Sequence, residues 1–222
     1  MPYVTVYDID AFANDADTVS YLHSQGFKVI AYVSFGSWED WRPDASAFPS
    51  SVLGRSNGWP GERWLDIRSD TVKTIMAARL DMIKQKGFDG VEPDNIDGYS
   101  NNTGFPLTAQ DQIDYNRWIA EQGHARGLSV GLKNDVEQAA ALQPYFEWTL
   151  NEECYQYSEC DGLQVFTNAN KAVFQVEYSG TGQCSTMRSM HFSSMTRDLD
   201  LVGPNDSGYT RTPCVPDTQN TW

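Results

Sequence analysis

The residues of this sequence best suited to chemistry crowd into one stretch, Phe88-Asp89-Gly90-Val91-Glu92-Pro93-Asp94-Asn95-Ile96-Asp97-Gly98-Tyr99. Carboxylates this close repel, so each must find a partner or change its proton affinity. Such strain is tolerated where acid–base, nucleophilic or cation-binding work is done. The stretch reads as the end of a β-strand, and strand residues alternate sides, so Glu92 and Asp94 share a face. Pro93 between them donates no hydrogen bond and holds the backbone extended. A second acidic group, Asn151-Glu152-Glu153, closes a later apolar run. Two carboxylates facing each other from different strands suit glycoside hydrolysis. One protonates the departing oxygen, and the other attacks the anomeric carbon or activates water. The same acids could instead hold Mg²⁺ or Ca²⁺. Lys133 and the scarcity of phosphate-binding partners oppose that. Lys133 itself serves either as a structural partner to the acids or as a donor that keeps one of them ionised.

These side chains need a scaffold that brings strand ends together. Apolar, β-branched runs at 4–9, 29–35, 63–67, 90–94, 128–133, 148–151, 172–178 and 190–195 read as strands. Between them, 17–25, 69–86, 108–126 and 135–142 read as helices. Three of these end at Gly26, Gly87 and Gly127, and the last stops before Pro144; Ser69-Asp70 and Thr108 supply start signals. Strands alternating with helices mean parallel βα units, and about eight of them predict an α/β fold, a single (β/α)8 TIM barrel spanning 1–222. There is no Gly-x-Gly-x-x-Gly after the first strand and no phosphate-binding loop, which weakens a doubly wound alternative. From Gly180 onward the composition turns Gly/Ser/Thr-rich, so 180–222 is expected to decorate the barrel as loops. In such a barrel the strand ends open onto one face. There the sequence places Asp8 and Asp10, Trp38, Asp66, Glu92 to Asn95, Lys133 to Asp135, Asn151 to Glu153, Glu177 and Tyr178.

The chain has 222 residues, 30 acids against 16 bases and a formal charge of −14. Phosphates would be repelled, so nucleic acid is not an expected partner. No run approaches the roughly 20 apolar residues that span a bilayer. A solvated surface would spread its acids over helix faces. Here roughly a third of them fall at strand ends, which favours a cation-attracting cleft. Trp38, Trp41, Trp59, Tyr99, Tyr155, Tyr157 and Tyr178 lie at or near those ends, where flat rings stack on sugar faces or hold cations. Trp38 and Trp41 are the expected rim, and Trp64 and Trp148 are expected in the core. Cys154, Cys160, Cys184 and Cys214 suggest two disulfides, Cys154–Cys160 and Cys184–Cys214, and an oxidising compartment. No Cys-x-x-Cys is present and the histidines are scattered, so no zinc or other metal site is expected. Sequons at Asn101-Asn102-Thr103 and Asn205-Asp206-Ser207 agree with a secreted glycoprotein. Met1-Pro2-Tyr3 is not a signal peptide.

Read in order, Tyr7-Asp8-Ile9-Asp10, the run 29–44 with Ser34-Phe35-Gly36-Ser37-Trp38-Glu39-Asp40-Trp41, Trp64-Leu65-Asp66-Ile67-Arg68, 88–99, Gly131-Leu132-Lys133-Asn134, Asn151-Glu152-Glu153-Cys154 and 173–178 resemble the successive blocks of glycoside hydrolase family 114, the endo-α-1,4-polygalactosaminidases. The resemblance covers nearly the whole chain. It implies a TIM barrel, no cofactor, and endo-cleavage of α-1,4-linked galactosamine in galactosaminogalactan-type polymers, with Asp94 and Glu152 as the catalytic pair. The run 151–160 matches the cysteine-bearing fungal members. Such a polymer is cationic, and Asp8, Asp66, Glu92 and Glu177 are the expected contacts for its ammonium groups, with Asn95, Lys133, Asn151, Trp38 and Tyr178 beside them. Members carry a short aromatic-containing strand ahead of Tyr7-Asp8-Ile9-Asp10 that this chain begins too late to hold, so a barrel lacking it is expected.

The leading expectation is a monomeric, secreted, retaining endo-glycosidase in which Asp94 is the nucleophile and Glu152 the general acid/base. The alternatives are a non-catalytic module that binds cationic polysaccharide, a chitinase-like hydrolase, and a metal-dependent sugar deacetylase. The chitinase pattern requires a Glu where this chain has Asn95 or Ile96.

Overall fold

The computed structural model describes residues 4–215. In chain order the elements are β1 (Val6–Asp10), α1 (Ala16–Ser24), β2 (Lys28–Ser34), β3 (Ser37–Glu39), β4 (Leu53–Ser56), β5 (Glu62–Leu65), α2 (Asp70–Lys86), β6 (Gly90–Asp94), α3 (Ala109–Ala125), β7 (Ser129–Lys133), α4 (Ala139–Leu142), β8 (Trp148–Glu152), α5 (Gln164–Asn168), β9 (Ala172–Glu177), α6 (Cys184–Ser189), β10 (Ser193–Arg197) and β11 (Arg211–Pro213). The helix boundaries follow local chemistry. Asp15 caps α1 by accepting from the Thr18 amide. Thr108 and Asp111 form a reciprocal capping box on α3, and Gly87 closes α2 in the left-handed region at φ 89°.

One sheet carries the order β1-β2-β6-β7-β8-β9-β10-β11. Its first seven strands are parallel, and β11 runs antiparallel to β10. The sheet curls with helices around it, but β1 and β11 are its two edges and do not pair. The closed (β/α)8 barrel is therefore corrected to an open, barrel-like curl.

The strand expected at 63–67 explains part of the difference. Its residues enter β5, which pairs antiparallel with β3 and β4 in a separate three-stranded sheet. Parallel pairing needs a crossover of a dozen or more residues, usually a helix. The segment between β2 and β5 holds Pro43, Pro49, Gly54, Gly58, Pro60 and Gly61 and forms only 3-10 turns and short hairpins. β2 consequently pairs directly with β6. The run expected at 190–195 is β10 shifted to Ser193–Arg197, because Met190 still belongs to the end of α6. The region from Gly180 is less loop-like than expected, since it contributes α6, β10 and β11. The opening Met1-Pro2-Tyr3 and residues 216–222 lie outside the described residues.

A single apolar cluster lies between sheet and helices, running from Ala11 and Val29 through Met76, Ile83 and Tyr115 to Phe166 and Phe192. The small sheet is fastened by a buried ionic strut. Arg42 pairs with Asp10 at 2.8 Å and Glu39 at 2.7 Å, and Arg79 pairs with Asp44 at 2.8 Å. Arg79 also donates to the Ser34 carbonyl at 2.7 Å, joining α2 to the end of β2. Among the described residues no helix is long and apolar enough to cross a membrane.

Candidate active site

Glu92 and Asp94 leave β6 on one face, as alternation requires, while Val91 and Pro93 take the other. The Asp94 carbonyl accepts from the Phe35 and Gly36 amides on the β2 side. By the same alternation Pro93 faces β7, where its missing N–H removes a ladder bond. The β6–β7 pairing accordingly stops at Val91, while the β2–β6 pairing continues to Asp94. Past the end of that ladder, Lys133 of β7 turns its ammonium to the carboxylates of β6.

The Lys133 ammonium, whose side chain is 4% exposed, lies 2.7 Å from Glu92 Oε1, 3.2 Å from Asp94 Oδ1 and 3.4 Å from Glu152 Oε2. Strands β6, β7 and β8 thus meet at one buried cation. Burial lowers the proton affinity of Lys133, but Asp94, Glu92 and Glu152 more than offset this and hold it well above the usual range. Burial alone would raise the Asp94 carboxyl. Lys133, the Tyr32 hydroxyl at 2.8 Å and the Asn95 amide instead hold it below the usual carboxylate range. These partners hold Asp94 in its ionised form.

Glu152 is more open, at 28% side-chain exposure against 18% for Asp94. Its Oε1 accepts from the Tyr178 hydroxyl, and Asn134 Nδ2 approaches Oε2 at 3.4 Å. Asn134 Oδ1 in turn accepts from the Glu152 amide at 2.9 Å and from Asn151 Nδ2 at 3.3 Å, bracketing the end of β8. The backbone turns sharply behind each strand: Asn95, Asn134, Asp135 and Glu153 have φ of 59°, 50°, 46° and 64°. This left-handed conformation is costly for most side chains and least so for Asn and Asp. Gly36 serves the same turn, since a Cβ there would lie 1.6 Å from the Asn95 carbonyl oxygen.

The other expected site residues divide into two groups. Asp8 joins the cluster; water reaches its residue, yet protein crowds its carboxyl. The loss of hydration, the Glu92 charge and a hydrogen bond with Glu92 push it well up. Asn95 Nδ2 reaches Ser34 Oγ at 2.9 Å and Asp94 Oδ2 at 3.3 Å. Asn151 Oδ1 accepts from the Cys154 amide at 2.9 Å, shaping the turn beyond Glu152. Glu177 is buried, accepts from the Tyr155 amide at 3.0 Å and is pushed up by that burial. Asp66 instead pairs with Arg68 at 2.8 Å, and Trp38 packs against the core with its indole N–H on the Ala45 carbonyl at 3.0 Å. Trp41 and Trp59 are exposed, while Trp64 and Trp148 are buried as expected. Both disulfides, Cys154–Cys160 and Cys184–Cys214, are formed. The two sequon asparagines, Asn101 and Asn205, are exposed.

Sequence reasoning gave Tyr32 no role and placed Asn134 at a strand end without assigning it a partner. No local signal marks Tyr32, because the register that sets it across from Glu92 exists only once β2 lies beside β6. Beyond Glu152 a cavity of about 250 Å³ opens, lined in part by Asp97, Tyr99, Asp135, Glu137 and Tyr157. Burial, then the Asp94 charge, pushes Asp97 up to about 6; burial, then Asp97, pushes Asp135 up to about 8. Among the described residues no group of three or more His, Cys, Asp or Glu converges as metal ligands would.

Comparison with known proteins agrees with this arrangement. The model of glycoside hydrolase family GH114 matches residues 1–218. The crystal structure of Ega3 from Aspergillus fumigatus in complex with galactosamine is 42% identical, with a TM-score of 0.86 over 89% of this chain and 85% of that one. The glycoside hydrolase domain of PelA from Pseudomonas aeruginosa shares the fold at 14% identity, with a TM-score of 0.70 over 92% of this chain and 90% of that one. An uncharacterised protein of Deinococcus radiodurans is 26% identical over 180 residues, 70% of this chain; the match spans 58% of that relative's length.

Proposed function

The chain belongs to glycoside hydrolase family GH114, and on that premise we propose that it is a secreted endo-hydrolase of α-1,4-linked galactosamine polymers. The observation that carries the reading is the Lys133 bridge. One ammonium contacts Asp94 at 3.2 Å and Glu152 at 3.4 Å, so their nearest oxygens are no further apart than these contacts laid end to end. That limit sits at the lower edge of the roughly 6.5–9.5 Å of inverting glycosidases, and smaller separations, near 5–5.5 Å, belong to retaining ones.

In this mechanism an Asp94 oxygen attacks the anomeric carbon while Glu152 gives its proton to the departing glycosidic oxygen. A covalent glycosyl ester on Asp94 results. Water then attacks the same carbon, Glu152 takes its proton, and Asp94 leaves as a carboxylate. Lys133, Tyr32 and Asn95 keep Asp94 ionised between turnovers. Tyr178 and Asn134 orient Glu152 without blocking the side that faces the cavity.

The substrate assignment is supported by the 42% identity to Ega3, solved with galactosamine. It is also supported by the acidic cleft and the net charge of −14, which concentrate a cationic polymer. The two disulfides support an oxidising, extracellular setting.

The test is mass spectrometry of products from de-N-acetylated and N-acetylated galactosamine polymers, with the first-formed anomer followed by NMR. De-N-acetylated polymer should yield oligosaccharides that first appear as the α-anomer, and Asp94→Asn and Glu152→Gln should yield none while remaining folded. Binding without product release would reduce the protein to a polysaccharide-binding module. Full activity in either variant would remove the catalytic pair.

A further inference from the structure

Helix α3 carries a polar residue on its buried face that the cleavage mechanism does not use. Asn116 is fully buried, yet every donor and acceptor of its amide is engaged. Its Nδ2 donates to the Ile96 carbonyl at 2.9 Å and to Asp135 Oδ2 at 3.0 Å. Its Oδ1 accepts from Gln112 Nε2 at 2.8 Å, one helical turn earlier. Gln112 Oε1 in turn accepts from the Tyr99 backbone amide at 3.4 Å, so a main-chain donor fixes which way round both amides lie.

The two acceptors of Asn116 belong to different strand ends. Ile96 is two residues beyond Asp94. Asp135 directly follows Asn134, whose Oδ1 accepts from the Glu152 amide at 2.9 Å. Asn95, Asn134 and Asp135, the residues between these anchors and the carboxylates, stand in the left-handed region at φ of 59°, 50° and 46°. Such backbone persists only where its surroundings over-determine it. The neighbouring Tyr115 donates its hydroxyl to the Phe35 carbonyl at 2.8 Å, so consecutive residues of α3 reach the ends of β2, β6 and β7. An apolar side chain could fill the space of Asn116, but a buried amide with every bond satisfied specifies one arrangement. Two N–H bonds of one planar group hold their two acceptors at a fixed separation.

We propose that Asn116 is a positioning residue for glycoside cleavage: its amide clamps the turn after β6 to the turn after β7 and thereby sets the separation of Asp94 from Glu152. The inference rests on reading those two carboxylates as the catalytic pair, a reaction whose course depends on that separation. Burial, then the Asp97 charge, pushes the Asp135 carboxyl up to about 8, so near neutral pH it serves the clamp mostly as a neutral acceptor. An asparagine at 135 keeps an acceptor oxygen in the same place, and an alanine removes it.

The experiment measures kcat and KM on de-N-acetylated galactosamine polymer for the full chain, Asn116→Ala, Asp135→Ala, Asp135→Asn and the double alanine variant. Thermal unfolding is followed on the same preparations, and crystal structures are determined for the wild type and both single alanine variants. Lys171→Met is the stability control. Lys171 donates to the Gln143 and Phe146 carbonyls at 2.7 and 2.6 Å, at the start of β9 and away from the strand ends that carry the site. Misplacing a reacting group by about 1 Å costs roughly a hundred-fold, so each alanine variant should lose about that factor in kcat with KM nearly unchanged. The double variant should be no slower than Asn116→Ala, because both substitutions break the same contact. Asp135→Asn should keep most of the wild-type kcat, and Lys171→Met should lower the melting temperature without lowering kcat. The alanine structures should show 95–96 displaced from 134–135. Turns that stay in place, a kcat no lower than in Lys171→Met, or Asp135→Asn as slow as Asp135→Ala overturns the clamp. Where Asn116→Ala does not fold, the structure of Asp135→Ala and its contrast with Asp135→Asn decide the same question. Displaced turns together with full cleavage by Asp94→Asn, or with no cleavage by the wild type, sink the catalytic pair and not the clamp.

Discussion

The Lys133 ammonium on β7 lies 3.2 Å from the Asp94 carboxylate on β6, and no other described cation is paired with that acid. Replacing Lys133 by Met leaves Glu92, Asp94 and Glu152 facing one another without their shared cation. Removing one partner of a buried ion pair costs on the order of 3–5 kcal/mol, so the melting temperature should fall clearly. Asp94 is depressed below its unfolded value of 3.8 in the native state. Its contribution to stability is present above pH 3.8 and fades only as pH falls through the lower folded value. In Lys133→Met that fading should begin at higher pH. The acid limb of kcat/KM should move upward with it, and kcat should drop by roughly a hundred-fold or more. A pH–rate profile with an unmoved acid limb would show that Lys133 is merely structural.

Asp97 titrates in the opposite sense. Burial and the Asp94 charge push it up to about 6, above the ordinary carboxylate value of 3.8. The native state therefore holds this proton more tightly than the unfolded chain, and stability falls as pH rises from about 4 to 6. At 1.36 kcal/mol per pH unit, the loss from this one group approaches about 3 kcal/mol. Asp97→Asn should recover most of it, unfolding at a higher denaturant midpoint than wild type at pH 7 and at nearly the same midpoint at pH 4. Equal midpoints at pH 7 would remove the assignment.

Gly36→Ala probes the turn that carries Asp94. The added Cβ would meet the Asn95 carbonyl oxygen at 1.6 Å, and that oxygen is backbone. Overpacking of this kind costs about 3 kcal/mol. Because Asn95 must shift, kcat should fall as well, which a purely structural loss elsewhere would not produce. Ala at Gly26, where nothing lies within 4 Å but φ is 86°, is the matched control for backbone strain without collision.

The two disulfides should separate stability from activity. Their sequence separations are 6 and 30. Loop-closure entropy makes the longer one worth more, about 3.5 against about 2 kcal/mol. Cys184→Ser with Cys214→Ser should therefore lower the melting temperature more. Cys154→Ser with Cys160→Ser should lower kcat more, because Cys154 donates its amide to Asn151 next to Glu152.

The sequence alone determined the βα alternation, because 3.6- and 2-residue periodicities and glycine stops are local. It also determined that Glu92, Asp94 and Glu152 end strands, and that four cysteines pair as two bridges. Local patterns say nothing about which strand lies beside which. They could not show that β5 leaves the main sheet for a small antiparallel one, or that the curl stays open between β1 and β11. Trp38 and Asp66 looked equivalent to Glu92 as strand-end residues, yet one packs on the core and the other on Arg68. Register decided the remainder. The site depends on Tyr32 lying across from Glu92, on Pro93 ending the β6–β7 ladder, and on the Lys133 ammonium meeting Glu92, Asp94 and Glu152. Each is a contact between residues distant in the chain, whose energy appears only when the strands are brought together.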